Sequence, residues 1–252
     1  MALARADLES LLRARKLDRT LTSALPPLDP GDELAVSATG VTALDARLGG
    51  GFPRGQLSEL VGPRSSGRTS VLVGTLAAAT RRGELTALVD ALDMFDVESA
   101  RAAGVDLDRL LWIRGHVVSH PGLCRDANQR ALEQAIRALA LVLQAGLFGV
   151  VAFDVADAPP EAIRRLPFTT WLRLQRILEG SQTACVLAGT GQMARSSAGL
   201  TVELTIHDSE LGIRYRERLF EGFDLGARVV RARGGAHEDT RVGLRTRAAH
   251  GA

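Results

Sequence analysis

The stretch LSELVGPRSSGRTS, residues 57–70, constrains the chain more than any other. A mostly apolar run ends at Val61, Gly62 and Gly67 bracket a turn, and Thr69 and Ser70 open a segment of helical character. This is the spacing G-x-x-x-x-G-x-[ST] of a phosphate-binding loop, in which backbone N–H groups and a helix N-terminus face an anion. One residue departs from that pattern. Arg68 stands where such loops carry lysine, and a planar guanidinium meets phosphate differently from a compact ammonium.

Apolar runs punctuated by Gly and charged residues predict strands over 57–61, 85–89, 110–113, 149–153 and 184–188. Helical periodicity predicts helices over 69–79, 97–103, 126–143 and 170–178. The alternation gives an α/β fold class, a mostly parallel central sheet with helices on both faces. Residues 200–206, 212–215 and 228–230 are expected to add antiparallel strands at the edge near the C-terminus. Three regions follow: a helical arm and Pro-rich linker over 1–30, a core over 31–233, and a basic tail over 234–252 that is expected to be disordered.

Charge alone does not assign a partner. The formal net charge is +2 in 252 residues, and of 31 basic residues only Lys16 is lysine, which reads as an encoding bias. Two cysteines, Cys124 and Cys185, make no disulfide framework, so a reducing interior is expected. The opening MALARADLES lacks a long apolar run, and the apolar stretch 139–153 is too short to span a membrane. A cytoplasmic protein, with nucleoid association allowed, is the expectation.

The chemistry centres on the loop. Its members, Gly62, Pro63, Arg64, Ser65, Ser66, Gly67, Arg68, Thr69 and Ser70, would cradle phosphates. Asp154 closes the apolar run Val150-Val151-Ala152-Phe153, where a carboxylate completes a magnesium site with Thr69. ATP with magnesium is therefore the ligand the loop suits, although no cofactor is expected to be required. His116, His120 and Cys124 lie close in sequence, but Gly115, Pro121 and Gly122 oppose the helix that would join them at a metal.

The run GVTALDARLGGGFPRGQLSELVGPRSSGRTS resembles the opening of the RecA recombinase core, and VDALDMFDVESARAAGVDLDRLL continues the likeness toward Asp154. The resemblance implies a RecA-like P-loop NTPase core. It also implies a glutamate two positions after Asp90 to prime the attacking water, and this chain has Leu92 there. A glutamine that senses the terminal phosphate is implied at the end of the strand 184–188, where Gly189-Thr190-Gly191 stands and Gln192 lies further along. Arg68, Leu92 and the missing glutamine all touch one ATP switch, so a degenerate ATPase site and no enzymatic turnover are expected. Asp93 and Asp96 are the nearest carboxylates that would compensate.

The resemblance places DNA-facing loops at 158–170 and 189–199, both shorter than in a recombinase. Arg164, Arg165, Arg195, Gln192 and Ser196 are candidates for single-stranded DNA, with Arg241, Arg245 and Arg247 of the tail. The overall form is similar to the ImuA type of accessory protein in bacterial mutagenic translesion synthesis. That likeness implies a role in the DNA-damage and SOS response, with a Y-family-like polymerase homologue and an error-prone DNA polymerase as partners. Leu8, Leu11 and Leu12 of the arm are the candidate partner contacts, and a recombinase is a further partner. Two other readings are a weak or regulatory ATPase in DNA recombination and an SOS-type inhibitor of cell division or recombinase assembly.

Overall fold

The computed structural model describes residues 35–115, 125–206, 224–233 and 239–245. The arm with Leu8, Leu11 and Leu12, the segment 212–215 and Arg247 lie outside these residues.

The elements in order are β1 (Val36–Ser37), α1 (Thr42–Arg47), β2 (Phe52–Pro53), β3 (Leu57–Val61), α2 (Arg68–Arg81), β4 (Thr86–Asp90), α3 (Val97–Ala102) and β5 (Leu110–Arg114). There follow α4 (Arg125–Ala145), β6 (Val150–Asp154), α5 (Pro160–Arg164), α6 (Phe168–Leu178), β7 (Ala184–Gly189), β8 (Ala198–Ile206), β9 (Asp224–Ala232) and β10 (Arg241–Arg245). The main sheet has eight strands in the order β10-β9-β8-β3-β7-β6-β4-β5. The six strands from β8 to β5 run parallel, and β9 and β10 are antiparallel additions.

Strand composition explains the layering. Every residue of β3, β4 and β7 is buried, as expected of strands covered on both faces. One face carries α1, α2 and α3 through Leu44, Leu72, Leu76 and Ala100. The other carries α4, α5 and α6 through Leu132, Leu139, Ala162, Trp171 and Leu174. Trp171 is core, and Phe168 packs partly buried against it. The strand ends bearing Val61, Asp90, Asp154 and Gly189 therefore lie along one edge, which is the edge that forms the site.

Three expectations need correction. The strand over 200–206 is not an antiparallel edge strand: it runs parallel beside β3 and only its other neighbour, β9, is antiparallel to it. The tail is not all disordered: Arg241–Arg245 pairs with β9, and Val242 and Leu244 bury on the α1 side. Apolar residues at a spacing of two, around Gly243, suffice for a strand once a neighbouring edge is available. Residues 158–170 are also not a single loop, because Pro160 starts a short helix and Phe168 begins α6. Proline's fixed φ suits the first helical turn.

Candidate functional site

The phosphate loop forms as its residues dictate. Gly67 adopts φ 85°, a left-handed conformation open to glycine, and the chain turns directly into α2. A Cβ on Gly62 would come within 2.4 Å of the Leu204 carbonyl oxygen and 2.7 Å of Ser66 Oγ, so only glycine fits there. Thr69 and Ser70 are exposed at the N-terminus of α2, whose first N–H groups lack partners within the helix. Ser66 Oγ is buried with no hydrogen-bond partner. An orphan hydroxyl inside a loop of N–H donors suits a phosphate oxygen, so the cradle fits the phosphates of a nucleotide.

Arg68 does not point out of this cradle. It is buried, and its Nη1 donates to the Gly62 carbonyl and, at 2.8 Å, to the Gly189 carbonyl. Gly62 N donates to the same Gly189 oxygen at 3.2 Å. The guanidinium thus ties the loop to the end of β7. Burial lowers its pKa, an effect that Asp154 and Asp157 partly offset. Arg64, at the exposed tip, pairs with Asp157 in the segment after β6.

Asp154 sits at the end of β6, opposite Asp90 in register. Its Oδ1 accepts from Ala156 N at 2.9 Å, and burial pushes its carboxyl up to about 6. Thr69 and Asp154 are the residues that would hold magnesium. Asp90 is committed elsewhere: Oδ1 accepts from Met94 N at 3.1 Å and Oδ2 from Phe95 N at 2.8 Å, shaping the turn after β4.

That turn decides the fate of the candidate bases. Leu92 is buried in the apolar cluster that includes Phe153, Val155 and Met193. Asp93 takes φ 58° and gives both carboxylate oxygens to Arg114, each at 2.7 Å. Asp96 caps α3, accepting from Glu98 N and the Ser99 hydroxyl. Hydrogen bonds hold both carboxyls below the usual carboxylate range, from Arg114 for Asp93 and from Ser99 for Asp96. Neither is presented as a free base toward the loop. The sequence order suggested Asp93, which the structure places in an ion pair with Arg114.

The segment after β7 also differs from expectation. Instead of projecting as a loop, residues 190–197 cross back over the α4–α6 face of β3 to start β8. Glu59 of β3, fully buried, holds the crossing: Oε1 accepts from Met193 N at 2.6 Å and Ala194 N at 2.7 Å, and Oε2 from Thr201 Oγ1 at 2.9 Å. Sequence reasoning passed over Glu59, although a lone acid inside LSELV is a signal, since buried carboxylates require partners. Gln192, Arg195 and Ser196 are exposed on this segment, and Arg164 and Arg165 are exposed at the end of α5. Arg241 and Arg245 belong instead to β10. Cys185 is fully buried, with its thiol pushed up by desolvation.

The RecA N-terminal domain model matches residues 28–158, just over half of the chain. The chain belongs to the RecA family. Among curated RecA relatives, Protein RecA of Salinispora tropica is 42% identical over 135 residues, covering 53% of this chain and 35% of that protein. Protein RecA of Corynebacterium jeikeium is 41% identical over 127 residues, 50% of this chain and 30% of that protein. The chain thus spans about a third of the length of the RecA proteins it matches. Among solved structures, the RadB recombinase shares the fold with a TM-score of 0.58 at 19% identity, covering 83% of this chain and 96% of that one. The RecA-like match ends close to Asp154, so the crossing segment and the antiparallel strands lie beyond it. Among the described residues no helix is long and apolar enough to cross a membrane.

Proposed function

We propose that this RecA-family chain serves DNA repair and recombination as a nucleotide-binding module with slow, regulatory ATP turnover rather than as a strand-exchange enzyme. The observation that carries this reading is Arg68, buried between two carbonyls beneath an otherwise complete phosphate cradle. The RecA proteins and the RadB recombinase that the chain resembles support the DNA-repair setting.

On this reading the loop amides, Ser66 and Thr69 bind and orient the phosphates. Magnesium, held by Thr69 and Asp154, would supply neutralising charge at the phosphates. Arg68 joins them only by leaving Gly62 and Gly189. With Leu92 in the core and Asp93 and Asp96 engaged, none of these three positions, which follow Asp90, offers a free carboxylate to take a proton from water, and turnover is slow on this reading.

A finer reading, an accessory factor of translesion synthesis, is favoured by the pinned crossing segment, which leaves little chain free to grip DNA in a filament. Its partners would be a Y-family-like polymerase homologue and an error-prone polymerase. Calorimetric titration with ATP and magnesium, alongside single-turnover hydrolysis, tests the first reading. Binding with turnover well below that of a RecA recombinase is expected; failure to bind millimolar ATP overturns it. Co-purification with the polymerase pair tests the second, and its absence overturns that reading alone.

A further inference from the structure

We infer that Arg64 recognises the terminal phosphate of a nucleoside triphosphate and that Asp157 holds it in reserve until that phosphate arrives. The inference rests on the nucleotide-binding reading above and adds to it the residue that tells a triphosphate from a diphosphate.

A phosphate loop sets its backbone N–H groups around the inner phosphates and needs a cation for the outer ones. Arg68 occupies the position of that cation and is spent on the Gly62 and Gly189 carbonyls. Arg64 is the other cation of the loop. Ser66 N donates to the Pro63 carbonyl at 3.3 Å and Ser65 takes φ 61°, a tight turn that puts Arg64 at its tip. The Arg64 side chain is 79% exposed, and its hydrogen bond among the described residues runs from Nη2 to Asp157 Oδ1. A guanidinium has five N–H donors, so most of them are open.

Asp157 follows Asp154 in the turn closed by the bond from Ala158 N to the Val155 carbonyl, and its side chain is 25% exposed. Its charge acts on both residues of the inner site. Burial lowers the Arg68 pKa, Asp154 and Asp157 oppose the lowering, and Arg64 adds to it. Asp157 also adds to the burial that pushes the Asp154 carboxyl up. The Arg64–Asp157 pair therefore stands within electrostatic reach of Arg68 and of the carboxylate that would hold magnesium.

A carboxylate and a phosphate both offer oxygens that a guanidinium can grip in pairs, and the phosphate carries the greater charge. An ion pair with one partner so exposed is a weak tether, so exchanging Asp157 for a phosphate costs little. A diphosphate fills the inner cradle and leaves the pair closed. With a third phosphate present, Arg64 swings onto it and releases Asp157, at the start of the segment that leads to Pro160 and α5.

Calorimetric titration of the full chain with magnesium and either a non-hydrolysable ATP analogue or ADP tests the assignment, read as the ratio of the two affinities. Arg64→Ala is expected to lower that ratio about tenfold, the loss of a charge-assisted contact to the terminal phosphate. Asp157→Asn frees Arg64 without removing it and should raise the ratio about threefold. The double variant should match Arg64→Ala, because Asp157 acts through Arg64. A ratio unmoved by Arg64→Ala overturns the assignment. An equal gain from Asp157→Asn with and without Arg64 also overturns it, since that is plain repulsion between carboxylate and phosphate. Wild-type protein that binds neither nucleotide sinks the nucleotide-binding reading and this one together, whereas binding of both with an unmoved ratio sinks this one alone.

Discussion

Arg68 Nη1 lies 2.8 Å from the carbonyl oxygen of Gly189, joining the first helical residue after the phosphate loop to the last residue of β7. A lysine ammonium has three N–H donors but sits one bond closer to the backbone, whereas Arg68 Nη1 at the end of the longer side chain bonds both the Gly62 and the Gly189 carbonyls. The substitution therefore converts a phosphate ligand into a structural tie, and binding of a nucleotide competes with that tie. Arg68→Lys should free the loop and raise ATP affinity about tenfold in calorimetry. Arg68→Ala, which leaves a cavity and weakens satisfaction of two carbonyls, should cost about 2 kcal/mol in urea unfolding. Tighter ATP binding by the wild type than by Arg68→Lys would refute the tie.

Asp154 sets a pH dependence of known sign. Its folded pKa of about 6 lies above the ordinary 3.8, so the native state holds the proton more tightly than the unfolded chain. Stability from this group is present below pH 4 and declines as pH rises through 6, a loss of about 1–3 kcal/mol. Asp154→Asn keeps an oxygen to accept from Ala156 N and never ionises. The variant should melt higher than wild type at pH 8, and the difference should vanish near pH 4. Equal melting temperatures at both values would contradict a desolvated carboxylate.

Glu59 makes the second tie between β3 and the crossing segment. Glu59→Ala leaves Met193 N, Ala194 N and the Thr201 hydroxyl without their acceptor and should cost at least about 3 kcal/mol in chemical denaturation. Glu59→Gln retains Oε1 for both amides and should cost roughly half as much. Hydrogen exchange should rise over residues 190–197 in Glu59→Ala with far less change in β4 and β6. A uniform rise across the sheet would indicate global unfolding instead.

The contrast between these residues explains what the sequence discloses. The parallel strands were readable because each is a short apolar run between turn residues, and the phosphate loop because its glycines have no alternative to tight backbone approach. Leu92 and the Gly189 position were readable as departures from the RecA pattern. The direction taken by Arg68 was not, since spacing places a side chain but says nothing of which carbonyls it finds. Asp93 looked available by proximity until the left-handed turn at φ 58° delivered it to Arg114. The strand β10 was hidden by its composition: two apolar residues among arginine and glycine carry meaning only beside β9.

Leu92 supplies the sharpest check on whether turnover is recoverable by restoring one residue. Its side chain is 6% exposed and packs in the cluster with Phe153, Val155 and Met193. Leu92→Glu would bring a carboxyl into that cluster, where burial raises its pKa and favours the protonated form, which accepts no proton. The variant is expected to lose about 3 kcal/mol of stability in urea unfolding and to gain no hydrolysis over wild type in single-turnover measurements. Combined with Arg68→Lys it should bind ATP more tightly and still turn over slowly, because the turn held by Asp90 keeps position 92 facing inward. Rapid hydrolysis by the double variant would mean that this turn reorganises on binding and that the loop retains a latent catalytic geometry.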